Sequence, residues 1–249
     1  MKKPDKHSSA GFSLIEMLIG LAVLAMLMAL AVPAFSRWLV DMRVRNQAEY
    51  VLSAVRLARG EALKRNTTVR FQLVSDLTNG CTVIGSAAAT ATNSNLWIIS
   101  HGNPAANCAN AEDLLNTDTT FNNPNSLAPV LLIKGYSEQQ KTAQTTISGS
   151  ADGAVCFAGT GALTRTLTAT NQCSISMNPA TTTAATITFD ISDPSTGTCF
   201  TDDPVPPVGF AANGTVRCQR IVVSSWGDVR LCDPGLFPAK HPSDPRVCS

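Results

Sequence analysis

The sequence predicts an α+β protein: one long N-terminal helix, apolar and then amphipathic, packed on an antiparallel β-sheet head whose long loops are tied by disulfides. Three observations carry this. From Met17 to Ser36 no charged residue appears over twenty positions, and helical periodicity continues beyond it to about residue 66. Past Asn66 the pattern changes to short runs of period two separated by Thr-, Asn- and Gly-rich stretches. All eight cysteines lie beyond residue 80, none of them in the helical region.

The uncharged run comes first. At about 1.5 Å per residue its twenty positions rise about 30 Å, the thickness of a bilayer's hydrocarbon core. We therefore expect residues 12–36 to cross a membrane once. Lys2, Lys3 and Lys6 precede it, which predicts a cytoplasmic N-terminus with everything after Arg37 outside. The residues allow three readings: a secretory signal peptide cut near Ala29-Leu30-Ala31, a plain anchor, or a leader cut before the apolar stretch, so that the stretch is retained. Glu16 separates them. A carboxylate at the start of a membrane span is costly and by default has a function and a partner. Neither a signal peptide nor a passive anchor has a use for it.

The basic leader, Gly11, Phe12, then Ser-Leu-Ile-Glu and an apolar run resemble the type IV prepilin processing motif. That resemblance implies removal of residues 1–11 by a prepilin peptidase cutting between Gly11 and Phe12, and methylation of the new Phe12 amine. It also implies that Glu16 pairs with the free amine of a neighbouring subunit during assembly. Opposite charges in a low-dielectric setting relieve each other's desolvation, so the role is physically sound. Pro33 sits where pilins commonly carry a proline; in a helix it removes one backbone hydrogen bond and bends the rod.

Residues 37–66 continue the helix in amphipathic form. Ala48, Val51, Leu52, Val55, Ala58, Ala62 and Leu63 recur at spacings of three and four, one apolar stripe that in a pilin packs against the sheet. Arg43, Arg45, Glu49, Arg56 and Lys64 lie largely off it. The seven basic residues from Arg37 to Arg65 read as a solvated face near the membrane, with a phospholipid or DNA contact as the competing reading. Asn66, which tolerates the left-handed conformation, is the expected stop.

Residues 67–249 form the head. Val69, Phe71 and Leu73 alternate with Arg70 and Gln72, the mark of a half-buried strand. Further strands are expected at 96–100, 130–134, 154–157, 185–191 and 221–225. Between them, stretches such as 85–95 and 103–129 are longer than compact domains usually allow, so disulfides are expected to tie them. Cys81, Cys108, Cys156, Cys173, Cys199, Cys218, Cys232 and Cys248 stand at least fourteen residues apart, with no CxxC pair for zinc or thiol exchange. An even, well-spaced set implies an oxidising compartment, here the periplasm or beyond. Proximity alone pairs 81 with 108, 156 with 173, 199 with 218 and 232 with 248, one of about 105 connectivities.

The segment Arg220-Ile-Val-Val-Ser-Ser-Trp-Gly-Asp-Val-Arg-Leu-Cys-Asp-Pro is similar to the C-terminal strand and tail of GspH/FimT-type minor pilins and pseudopilins. So are Val55-Arg-Leu-Ala-Arg-Gly-Glu-Ala-Leu-Lys-Arg-Asn in the helix and Phe157-Ala-Gly-Thr-Gly161 in the head. The resemblance implies a pilin-like fold and, as partners, other pilin or pseudopilin subunits, prepilin peptidase and inner-membrane lipid. DNA-binding members carry Gly-Arg-x-Arg near this end. Here Gly227-Asp228-Val229-Arg230 keeps only the first and last, and Asp228 turns an attraction for phosphate into a repulsion. Residues 1–65 carry ten Lys/Arg against five Asp/Glu, and residues 66–249 nine against thirteen, so the head is net negative. DNA uptake, with Arg230 as the candidate contact, therefore stands behind filament assembly.

No catalytic constellation is visible: GxSxG, HExxH and P-loop patterns are lacking. His7, His101 and His241 read as leader and loop residues. Asp202-Asp203 and Asp190/Asp193 raise calcium, but without ordered ligand spacing they read as structural or surface aspartates. Trp38 is expected at the membrane interface, and Trp97 and Trp226 in the core. No enzyme activity, cofactor or metal is expected. The sequence thus predicts a minor pilin or pseudopilin that is processed, anchored once in the inner membrane and then built into a type IV pilus or related filament. A type II secretion pseudopilin of the GspH kind and a DNA-binding minor pilin are the alternatives.

Overall fold

A computed structural model describes residues 13–78, 80–84, 93–105, 108, 130–135, 146–149, 153–164, 173, 186–193, 197–207 and 209–248. The chain divides into two compact units, residues 1–39 and 40–249. One helix, α1 (Leu14–Arg65), contributes to both.

In the first unit α1 is uninterrupted at Pro33 and exposes its large apolar side chains from Leu14 to Trp38. Among the described residues no helix is long and apolar enough to cross a membrane. The side chains of Leu30, Pro33 and Ala34, which fall inside the uncharged run, lie outside that description.

In the second unit α1 buries Val40, Val44, Ala48, Val51, Ala54, Val55, Ala58 and Ala62. The small side chains allow the sheets to approach the helix backbone closely. The stripe is shifted from the one expected: Leu63 is half exposed and Leu52 only partly covered, while Val40 and Val44 extend it toward the N-terminus. Asn66 ends the helix at φ +49°, and the Thr67 N–H closes on the Ala62 carbonyl at 3.3 Å, so the expected left-handed stop is in place.

The single expected sheet is two. A four-stranded antiparallel sheet runs β4 (Val130–Gly135), β3 (Leu96–His101), β1 (Val69–Val74), β6 (Ala154–Phe157). A five-stranded antiparallel sheet runs β11 (Val229–Cys232), β10 (Gln219–Val223), β7 (Ile187–Ser192), β5 (Thr146–Gly149), β2 (Asn93–Ser94). A small parallel pair, β8 (Cys199–Phe200) with β9 (Phe210–Ala211), completes the described strands. Both larger sheets pack on α1 in one core. Phe71 of β1 meets Phe189 of β7 edge-on at 5.4 Å, and Trp97 lies 5.6 Å from both Phe71 and Tyr50.

Strand β1 departs from the half-buried pattern: Arg70 is 1% exposed and Gln72 fully buried. The second face of this central strand is covered too, by a cluster of Val74, Cys81, Leu96, Ile98 and Cys108. There the Arg70 guanidinium donates to the Gln72 side-chain carbonyl, and the Gln72 amide donates to the carbonyls of Leu73, Ile84 and Gly153. Four disulfides join Cys81–Cys108, Cys156–Cys173, Cys199–Cys218 and Cys232–Cys248, each to its neighbour along the chain. The expected loops at 85–95 and 103–129 lie mostly outside the described residues.

Candidate functional site

Two places concentrate the residues singled out by the sequence. The first is the start of α1. Gly11, Phe12 and His7 lie outside the described residues. Glu16 stands in the first turn of the helix, where the unpaired N–H groups and the macrodipole favour a negative charge. It is exposed and neighboured by Met17, Gly20, Leu21 and Leu24 in a shallow apolar depression. A Cβ at Gly20 would meet nothing within 4 Å, so the depression is open along the helix. Phe35 and Trp38 pack ring against ring at 5.6 Å and both remain exposed.

The second is the turn between β10 and β11, residues 224–228, which holds the Gly-Asp-Val-Arg segment. Ser224 accepts from Gly227 through its carbonyl at 2.8 Å and from Asp228 through its hydroxyl at 3.1 Å. The Leu163 N–H donates to the Ser225 carbonyl at 3.0 Å, joining this turn to the one at 158–162. Arg59 of α1 lies against both: Nε donates to Gly161 O at 3.1 Å, and a terminal nitrogen to Trp226 O at 3.4 Å. One turn earlier on the helix, Arg56 donates to Val229 O at 3.0 Å. Gly161 and Gly227 have φ +77° and +79°, and a Cβ built on Gly227 would stand 1.9 Å from the Gly161 carbonyl oxygen. Only glycine fits there.

These contacts revise two expectations. Arg56 stays exposed, as expected of a solvated face, but it also donates to a carbonyl of β11, and Arg59, partly covered, is a carbonyl donor that fixes the β10–β11 turn. Trp226, expected in the core, is 81% exposed at the tip of that turn. Its backbone is held while its indole is not, because the turn puts residue 226 at the outer corner. Trp97 is buried as expected. Arg230 sits on the edge strand β11 opposite Val222, partly covered, with the exposed Asp228 two residues before it.

The aspartates raised for calcium have protein partners. Asp190 is bound at both oxygens by Arg220, at 2.5 and 3.0 Å. Asp202 accepts the Phe237 N–H at 2.7 Å and His241 Nε2 at 2.5 Å, with Lys240 at 3.5 Å. The Phe237 N–H, then His241, hold its carboxyl at about 2. Asp203 accepts the Val205 N–H at 2.9 Å, and buried Asp193 faces Arg43 at 3.9 Å. Among the described residues no group of three or more His, Cys, Asp and Glu is placed to hold a metal ion. His101 contacts the Thr68 carbonyl at 2.9 Å. The Arg59 contact was not legible in sequence, since its acceptors lie 102 and 167 residues away. The signal available was the spacing of Arg56 and Arg59, which places both on one helix face.

Compared with known proteins, residues 6–32 match the family described as the prokaryotic N-terminal methylation motif. No curated protein matches the chain. Among solved structures, two crystal forms of the type IV minor pilin FimU of Pseudomonas aeruginosa (strain PAO1) are similar at 15% identity. One has a TM-score of 0.38 and covers 83% of this chain and 95% of that one; the other has 0.36, with 82% and 99%. At that level the likeness decides neither fold nor function, and the α+β fold stands on the chain's own helix and sheets.

Proposed function

We propose that the chain is a membrane-anchored subunit of a type IV pilus or related filament, a minor pilin or pseudopilin that works by assembly. The observation that carries the reading is the methylation motif over residues 6–32, which joins Gly11, Phe12 and Glu16 to a helix whose apolar side chains are exposed. A prepilin peptidase removes residues 1–11 and the Phe12 amine is methylated. Residues 12–36 cross the inner membrane once, with the disulfide-tied head in the periplasm. In the filament Glu16 pairs with the Phe12 amine of a neighbouring subunit, while the exposed apolar helix faces give up lipid for neighbouring helices.

A type II secretion pseudopilin uses the same leader and helix; trapping of exoproteins in the periplasm of a deletion strain is the readout that separates it. DNA uptake has less support, since Asp228 precedes Arg230, the head is net negative, and Arg56 and Arg59 already serve backbone carbonyls. The intact mass of the full chain extracted from membranes tests the processing step. The expected product begins at Phe12 and carries one added methyl group. An uncut leader, or a cut after Ala31, would contradict the reading.

A further inference from the structure

Each bridge joins a cysteine to the next one along the chain: Cys81–Cys108, Cys156–Cys173, Cys199–Cys218 and Cys232–Cys248, at separations of 27, 17, 19 and 16 residues. None of these loops encloses or crosses another, and no cysteine is free. Among about 105 possible connectivities this is the one reached when every second thiol joins the thiol just before it. The strands connect differently. β1 meets β6 with Val69 opposite Phe157, across the whole first loop, and β2 inside that loop meets β5 beyond it, with Asn93 opposite Ser148. Closing a long loop costs more and takes longer than closing a short one, so the cysteine pairs meet before the sheets assemble.

Once the head has folded, most of these sulfurs are out of reach. Cys81 and Cys108 lie in the cluster behind β1, 3% and 0% exposed, and Cys199 and Cys218 belong to the main core, 7% and 2% exposed. Each of the other two bridges has one buried cysteine, Cys156 or Cys232, and one partly covered, Cys173 or Cys248. Thiol–disulfide exchange requires the attacking sulfur to reach the sulfur it joins. A partner protein that oxidises these thiols must therefore act before the core closes.

We propose that the head is oxidised loop by loop as it is exported, by a protein disulfide oxidant that joins each second cysteine to its immediate predecessor, and that the chain does not depend on a disulfide isomerase. The inference rests on the reading of the head as a periplasmic part that leaves the membrane after α1. In each step one thiolate of the chain attacks the oxidant's disulfide, forming a mixed disulfide and releasing one oxidant thiolate. The second thiolate of the chain then attacks the chain's own sulfur in that bond, closes the bridge and releases the other oxidant thiolate. The chain gives up two electrons and two protons, and the oxidant's disulfide is reduced to a dithiol. When Cys156 emerges, Cys81 and Cys108 are already joined, so no wrong partner is open to it.

The test follows the full-length chain in cells, with free thiols alkylated at lysis and bridges mapped by peptide mass after a short pulse of synthesis, before degradation intervenes. Loss of the periplasmic thiol oxidant should lower the fully bridged chain at least about fivefold, and loss of the isomerase should change it less than about twofold. A larger change without the isomerase, or a smaller one without the oxidant, overturns the proposal. The order of oxidation is read with two variants in cells lacking the isomerase. In Cys108→Ser the first thiol stays open, so sequential oxidation should shift the pairing to Cys81–Cys156 and Cys173–Cys199. In the double variant Cys81→Ser, Cys108→Ser the other three native bridges should form as in the wild type. Native bridges as abundant in the single variant as in the double would mean that the folding core selects the partners, and would overturn the proposal. Leader processing is read in the same samples. A processed chain whose bridges need the isomerase overturns this inference alone, whereas eight reduced cysteines in unaltered cells would remove the periplasmic reading as well.

Discussion

Gly227 shows how much can depend on one missing side chain. Its φ of +79° is open to glycine, and a Cβ there would lie 1.9 Å from the Gly161 carbonyl oxygen, an atom that also accepts from Arg59. Any replacement must separate the two turns and release the Arg59 contact. Gly227→Ala is therefore expected to cost at least about 2 kcal/mol, read as a lower thermal midpoint of the detergent-solubilised full chain. An unchanged midpoint would mean that the two turns are not in contact. The sequence marked Gly227 for a different reason, as a remnant of a DNA-binding pattern. Its packing role depends on a partner 66 residues away, which no local spacing reveals. Glu16 is the opposite case: its cost in an apolar run is visible from the residues alone.

At the scale of elements, legibility followed contrast in side-chain pattern. α1, its end at Asn66, and strands β1, β3, β4, β6, β7 and β10 fall where apolar periodicity is strong. β5, Thr-Ile-Ser-Gly, offers a single large apolar residue, and β8 and β9 are two residues each, paired in parallel beside a disulfide. Such strands are set by tertiary contacts, and their composition does not announce them. The C-terminal segment is likewise held by non-local polar contacts. Asp202 fixes the Phe237–His241 stretch, and Asp244 is held at about 2 by Arg246. Both carboxyls titrate below the roughly 3.9 of an unfolded aspartate. What they contribute to stability is thus complete above about pH 4 and disappears as pH falls through 2. The full chain should lose thermal stability across that window, and Asp202→Asn should flatten the loss. An identical profile in wild type and variant would remove Asp202 from the account.

At the scale of the whole molecule, the two units differ in what they bury. Among the described residues of the first unit, the large apolar side chains from Leu14 to Trp38 are exposed, an apolar surface larger than a lone soluble protein usually presents. Residues 40–249 bury one core between α1 and two sheets and are cross-linked by all four bridges. The uncharged run and the position of the cysteines place the expected boundaries at residues 36 and 66, whereas the compact units divide between residues 39 and 40. The sheet count and the exposure of Trp226 were not legible in the sequence, because both depend on how distant segments meet. An assembling subunit needs both parts, one to be processed and inserted, the other to be presented outside. The most direct test is the abundance of surface filaments in an in-frame deletion strain, complemented with the wild-type chain or with Glu16→Ala. The account predicts filaments lost on deletion, restored by the wild type, and not restored by a Glu16→Ala chain that is still cut at Gly11. Filaments unaffected by deletion, or fully restored by Glu16→Ala, would contradict it.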